Sequence, residues 1–228
     1  MDVTTAAFWA AVGAITLANI VLSGDNAVVI AMAARSLPPS QQRRAIVWGS
    51  AAAVVMRIGL TLVAVEMLKW PYLKIVGALL LLGIGIALLR EGAVEERGHH
   101  EIGTLAAAIR TILLADVVMS LDNVLAVAAA ANGSLLLLVI GLVVSVPLIV
   151  FGSTLLLKVM DRFPVIVMLG AALLGFLAGE MMLTDPAVLA ATGAISPAAV
   201  NTAGVVGAVL VVAVGLWMRR RTRAGASV

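Results

Sequence analysis

The sequence predicts an all-α membrane protein with seven transmembrane helices, arranged as two inverted three-helix repeats plus a C-terminal helix, N-terminus outside and C-terminus inside. Three observations predict it. Of 228 residues, 63% are hydrophobic and 12% charged, with a mean hydropathy of +1.16, whereas a soluble domain carries about 25% charged residues. A polar signature, S-x-D-N, occurs twice inside apolar runs, at Ser23–Asn26 and Ser120–Asn123. The basic residues crowd onto one side of those runs.

Seven runs approach or exceed the roughly 20 residues that a helix needs to cross the hydrocarbon: residues 8–33, 43–67, 70–90, 105–131, 134–158, 162–183 and 198–218. The first follows "MDVTT", which lacks the basic region of a signal peptide; the run is too long for one and contains Asp25, so it is read as a helix. The second holds Arg57 near its middle and Glu66 toward its outer end, and the third runs from the Lys74 side to Arg90. The fourth carries Asp116, Ser120, Asp122 and Asn123, and the fifth ends at Lys158. The sixth contains Glu180 and the G-x-x-x-G pair Gly175 and Gly179, a spacing that lets helices pack closely. The seventh precedes "RRRTR".

Orientation follows from charge. With the N-terminus outside, Arg35, Arg43, Arg44, Arg90, Arg97, Arg110, Lys158, Arg162, Arg219, Arg220, Arg221 and Arg223 fall inside, Lys69 and Lys74 outside, and Arg57 in the membrane. Such asymmetry is the positive-inside pattern. It reads the basic tail as a topology anchor rather than a nucleic-acid or lipid-specific patch. Cysteine is absent, which excludes disulfides and thiolate metal sites.

Ile15–Ala31, "ITLANIVLSGDNAVVIA", aligns with Ile112–Ala128, "ILLADVVMSLDNVLAVA", and Gly49 and Gly83 echo Gly141 and Gly175. The duplicated unit is therefore about 8–90 and about 105–183, separated by a cytoplasmic loop at about 91–104 and followed by the extra helix. An odd number of spans per unit inverts the second copy, which is a transporter architecture with its site where the repeats meet.

A charged side chain at the centre of a spanning helix costs about 2.5–3.5 kcal/mol on insertion scales. Asp25, Asp116 and Asp122 lie near the centres of spans one and four, beside Asn19, Ser23, Asn26, Ser120 and Asn123. Interhelical hydrogen bonding accounts for the serines and asparagines better than for three carboxylates. Together these groups are hard oxygen donors, which suit Mg²⁺, Ca²⁺ or Mn²⁺ over Zn²⁺ or Cu⁺. Met32 and Met119 offer a softer contact, though methionines in so apolar a chain chiefly pack. On a straight helix Asp25 points about 120° away from Asn19, Ser23 and Asn26. Either the helix unwinds at S-x-D-N or there are two half-sites. Gly24 favours an interruption in the first copy; Leu121 favours it less in the second.

The remaining charges have two readings each. Arg57 is a counter-charge that neutralises an aspartate when the cation is absent, or a structural ion pair. Glu66 reads as a solvated interfacial carboxylate, and Glu180 stands between that and a supporting role. The inner segment "REGAVEERGHHEIG", with Glu91, Glu95, Glu96, His99, His100 and Glu101, reads as a solvated loop rather than a metal-capturing one.

The two motif stretches, "LANIVLSGDNAVVIAMAARSLP" and "LADVVMSLDNVLAVAAAANG", with "MRIGLTLVA" and "GLVVSVPLIVFGSTLL" after them, resemble the TerC family of bacterial membrane proteins, in its short YjbE-like branch. The resemblance covers about Phe8 to Trp217. It implies a place among the LysE-type exporters of two three-helix repeats and Mn²⁺ export, carried by Asp25, Asn26, Asp122 and Asn123, with Asp116 as the preceding acid. Many members carry a carboxylate six residues before the first motif aspartate, where this chain has Asn19; the second copy keeps Asp116.

The expected function is a secondary transporter exporting manganese from the bacterial cytoplasm across the plasma (inner) membrane. Its metal ligands would be Asp25, Asn26, Asp116, Asp122, Asn123 and Asn19, supported by Ser23, Gly24, Ser120, Arg57 and Glu180. No Walker A sequence is present, so ATP does not drive it within this chain. Protons are the natural coupling ion, because a buried carboxylate that releases a cation is costly unless protonated or paired. Its partners are then Mn²⁺ as substrate, protons and membrane lipid, without an organic cofactor or nucleic acid; a homo-oligomer is left open. No H-E-x-x-H or nucleophile and base pair suggests an enzyme. Two alternatives stand beside it: a LysE-type exporter of an organic or amino-acid substrate, and a non-transporting scaffold in metal or tellurite stress.

Overall fold

The structure, a computed structural model, describes residues 5–22, 24–95, 104–130 and 135–224. Among the described residues there are nine helices and no strand: α1 Ala6–Leu22, α2 Gly24–Arg35, α3 Pro39–Met67, α4 Leu73–Glu95, α5 Leu105–Ala130, α6 Leu135–Arg162, α7 Val165–Leu183, α8 Pro186–Thr192 and α9 Pro197–Ala224. Proline opens α3, α8 and α9, where its missing N–H has no intrahelical partner to lose.

The distribution of side chains is that of a protein in lipid. Leu17, Val55, Leu62, Leu79, Phe151 and Leu169 are exposed, whereas Asn26, Arg57, Asp116, Ser120 and Ser153 are buried. An apolar exterior this extensive is foreign to a soluble monomer. Exposed Trp9, Trp70, Tyr72 and Trp217 lie toward helix ends or in the turn between helices, where amphipathic rings meet the headgroups.

Among the described residues five helices are each long and apolar enough to cross a membrane, within α3, α4, α6, α7 and α9. The first expected span is described as α1 up to Leu22 and α2 from Gly24, with Ser23 outside the described residues; the fourth, α5, is continuous through Leu121. Other boundaries differ from expectation. α3 starts at Pro39 rather than 43, α4 starts at Leu73 and extends to Glu95, past the expected loop start, and the short α8 lies in what read as an outer loop.

Glycines set the closest helix contacts. A Cβ on Gly175 or Gly179 of α7 would strike the α9 backbone at Gly207 or Ala203, so the G-x-x-x-G does mark an intimate pair. Gly49 of α3 faces Ile112 of α5, where a Cβ would come within 2.7 Å of the Ile112 Cδ1, and Gly141 of α6 faces Ile15 of α1. These two contacts are reciprocal: each copy of the signature-bearing helix lays its isoleucine on a glycine in the helix following the other copy.

Two long-range contacts order the ends. Arg35 Nε donates to Asp161 Oδ1 at 3.2 Å, joining the ends of α2 and α6. Elsewhere the fully buried Asp185 ties two turns together. Its Oδ1 accepts from Tyr72 N at 2.9 Å and Ala187 N at 2.8 Å. Its Oδ2 accepts from Lys74 N at 3.0 Å and Ile75 N at 3.2 Å. Asp185 thus caps α8 while holding the turn that enters α4. That turn contains Tyr72 at φ 69°, a left-handed conformation that a bulky residue adopts only under restraint.

Candidate functional site

α2, α3 and α5 bring the polar residues together. Arg57 of α3 is 2% exposed, and Asp116 and Ser120 of α5 are 6% and 0% exposed. Arg57 Nη2 donates to Asp116 Oδ1 in a buried ion pair. Arg57 Nε donates to Ser120 Oγ at 2.9 Å, and Ser120 Oγ donates to Asp116 Oδ2 at 3.3 Å. The helical spacing between Asp116 and Ser120 puts both on one face of α5, so a single guanidinium spans them.

α2 supplies the opposite wall. Asp25 sits in its first turn, half-buried, and its Oδ1 accepts from Asn26 N at 2.8 Å. Asp25 is also within electrostatic reach of Arg57 and Asp116. Asn26 is 3% exposed, and neither its Oδ1 nor its Nδ2 has a partner among the described residues. A buried amide left unsatisfied costs about 1–3 kcal/mol.

Between the helices runs a crevice lined by Asn26, Val29 and Ile30 of α2 and Ile112, Ala115 and Asp116 of α5. The spacing is i, i+3, i+4 on both walls, one face of each helix. No water-sized sphere fits inside it. Asn26 and Asp116 are the polar groups of that lining; the other four side chains are aliphatic.

Of the expected site residues, the structure brings together Asn26, Asp116, Ser120 and Arg57, with Asp25 nearby. Gly24 is the first described residue of α2. Ser23, and the side chains of Asn19, Asp122 and Asn123, lie outside the described residues. Glu180 is half-buried in the last turn of α7. Glu66 is exposed beside Lys69 at 2.8 Å. Met32 and Met119 are in the apolar core, and Met32 packs where a Cβ on Gly170 would lie. Among the described residues no three His, Asp or Glu side chains converge as a metal cage. The oxygen donors described there are the Asp25 and Asp116 carboxylates, the Asn26 amide and the Ser120 hydroxyl.

Sequence reasoning missed Asp185 and the buried Ser50 and Ser153, whose hydroxyls have no partner among the described residues. Asp185-Pro186 is an N-cap followed by an N1 proline, a signal that could have located α8. Nothing in the local sequence marks the two serines.

Residues 4–223 match the sequence model described as the integral membrane protein TerC family. The chain is 48% identical over 168 residues to the uncharacterized membrane protein YjbE of Bacillus subtilis (strain 168), covering 73% of this chain and 76% of the relative. It is 25% identical over 182 residues to the uncharacterized membrane protein YceF of the same strain, covering 76% and 70%. It is 27% identical over 183 residues to the UPF0053 inner membrane protein YgdQ of Escherichia coli (strain K12), covering 73% and 77%. No solved structure matches the chain.

Proposed function

The chain belongs to the TerC family of integral membrane proteins and is a multi-pass inner membrane protein, and from that premise we propose that it is a secondary transporter exporting Mn²⁺ from the cytoplasm. The observation that carries the proposal is Asn26: an amide 3% exposed, without a partner among the described residues, on the wall of a crevice whose other polar group is Asp116. Buried polar groups are rarely left unpaired. One that shares a membrane-embedded crevice with a carboxylate has the donor chemistry for a hard divalent cation.

In this proposal Asp25 and Asp116 provide charge, Asn26 provides a neutral oxygen, and Asp122 and Asn123 complete the set from the second copy. Gly24, which weakens a helix locally, supports a site in the first copy, since irregular backbone inside a membrane is tolerated where it lines a cavity. α1–α2 and α5 would add two crossings to the five apolar helices. The reciprocal Gly49–Ile112 and Gly141–Ile15 contacts support inverted repeats. Cytoplasmic placement of the Arg35–Asp161 end follows from the charge asymmetry. Proton exchange is the proposed drive. The organic-substrate alternative needs a buried positive centre for a carboxylate, and Arg57 is already engaged by Asp116.

Mn²⁺ uptake into everted vesicles tests the reading, comparing the intact chain with Asp116→Asn and Asp25→Asn at equal expression. Accumulation that either substitution abolishes supports the site. Absent uptake by the intact chain rejects manganese export. Uptake that survives both substitutions rejects the site.

A further inference from the structure

Resting on the reading above, we propose that Arg57 is a tethered counter-cation whose guanidinium occupies the carboxylate the cargo ion must take, in a cradle built by Asp116 and Ser120. The polar groups of the two signature copies do different work. In the first, the Asn26 amide is buried without a partner among the described residues. In the second, both Asp116 oxygens are in use: Oδ1 accepts from Arg57 Nη2 and Oδ2 from Ser120 Oγ at 3.3 Å. Ser120 Oγ in turn accepts from Arg57 Nε at 2.9 Å. The serine therefore serves as donor and acceptor at once, and it orients the guanidinium onto the acid.

A divalent ion reaching Asp116 finds both oxygens engaged. It cannot share the carboxylate with a guanidinium, because two positive centres within a few ångströms repel strongly in a low-dielectric site. The ion and Arg57 are therefore alternatives at one acid. Arginine keeps its charge at all working pH values, so the exchange replaces one fixed positive charge by the cargo. The cation-free carrier then holds Asp116 neutralised from within, and return of the guanidinium displaces the ion and sets its release.

A purely structural clasp between α3 and α5 predicts the opposite sign. Without Arg57 it would loosen the site and weaken the ion's binding, whereas loss of a competitor tightens it. The test is Mn²⁺ binding to the purified full-length chain in detergent by titration calorimetry, beside vesicle flux, for the intact protein and Arg57→Gln, Arg57→Lys and Ser120→Ala. When the binding-competent state is only fractionally populated, apparent affinity falls by that fraction. A competent fraction of about one tenth or less makes Arg57→Gln bind about tenfold tighter or more, with slower flux from retained ion. Arg57→Lys falls between the two, since a lysine cannot grip Ser120 and Asp116 together.

Ser120→Ala keeps the charge and removes the cradle; it tightens binding by a few fold and decides the matter if Arg57→Gln does not fold. Unchanged or weaker binding in the folded variants, with the intact chain binding Mn²⁺, overturns this inference and leaves the transport reading standing. An intact chain that binds no Mn²⁺ overturns both.

Discussion

Replacing Asp185 by alanine removes one side chain and strands four backbone donors. Tyr72, Lys74, Ile75 and Ala187 all donate to its carboxylate, at 2.8–3.2 Å. A buried donor without an acceptor costs about 1–3 kcal/mol. The low end applies because the exposed Tyr72 marks the margin of the protein, where water can reach the vacated N–H groups. Four donors at about 1 kcal/mol give about 4 kcal/mol, and at about 2–4 °C per kcal/mol for a chain of this size the melting temperature falls by about 8–16 °C. Asp185→Asn keeps Oδ1 as an acceptor but turns an NH₂ toward Lys74 N and Ile75 N, so about half of that loss is expected. The assay is thermal unfolding of the detergent-solubilised chain followed by circular dichroism. A shift below about 2 °C for Asp185→Ala would refute the claim that this carboxylate holds the α3–α4 turn against α8.

The same junction predicts a pH dependence. Burial pushes the Asp185 carboxyl up, but the N–H groups of Tyr72, Ala187, Ile75 and Lys74 outweigh it and hold the acid below its ordinary value of 3.8. Its contribution is therefore complete above that unfolded value and is lost as pH falls through the lower folded one; the melting gap between the intact chain and Asp185→Asn should narrow between pH 6 and pH 3. Gly179→Leu forces a side chain against the Ala203 carbonyl and should destabilise by about 3 kcal/mol, the upper range for overpacking. Gly152→Ala meets nothing within 4 Å and should leave the melting temperature unchanged or slightly raised. Asp161→Ala removes an ion pair whose acid is 57% exposed; a loss above about 1 kcal/mol would contradict its assignment as a surface pair.

Hydropathy made the spans legible because lipid imposes a length and an apolar surface on each. α7, read as 162–183 and observed as Val165–Leu183, and α9, whose apolar core sits inside the expected 198–218, show this directly. The α7–α9 contact was foreshadowed by the glycine spacing. What stayed hidden depends on tertiary pairing. Arg57 and Asp116 are 59 residues apart, and no local pattern says which acid a buried arginine will meet. Asp185 was passed over because an aspartate in a polar loop is ordinarily solvated. Only the fold shows it buried under two turns. The extension of α4 to Glu95 was missed because its last turn leaves the apolar stretch, and a helix already nucleated continues into good helix-forming residues such as Glu91 and Glu95.

The difference between Gly24 and Leu121 has an energetic consequence for the two signature copies. Leucine favours the helix over glycine by up to about 0.8 kcal/mol, at most about a fourfold population ratio. The two halves are thus unequal springs. The first yields readily at its centre, and the second resists, so exchanging Gly24 and Leu121 should move the weak point of the molecule from one half to the other.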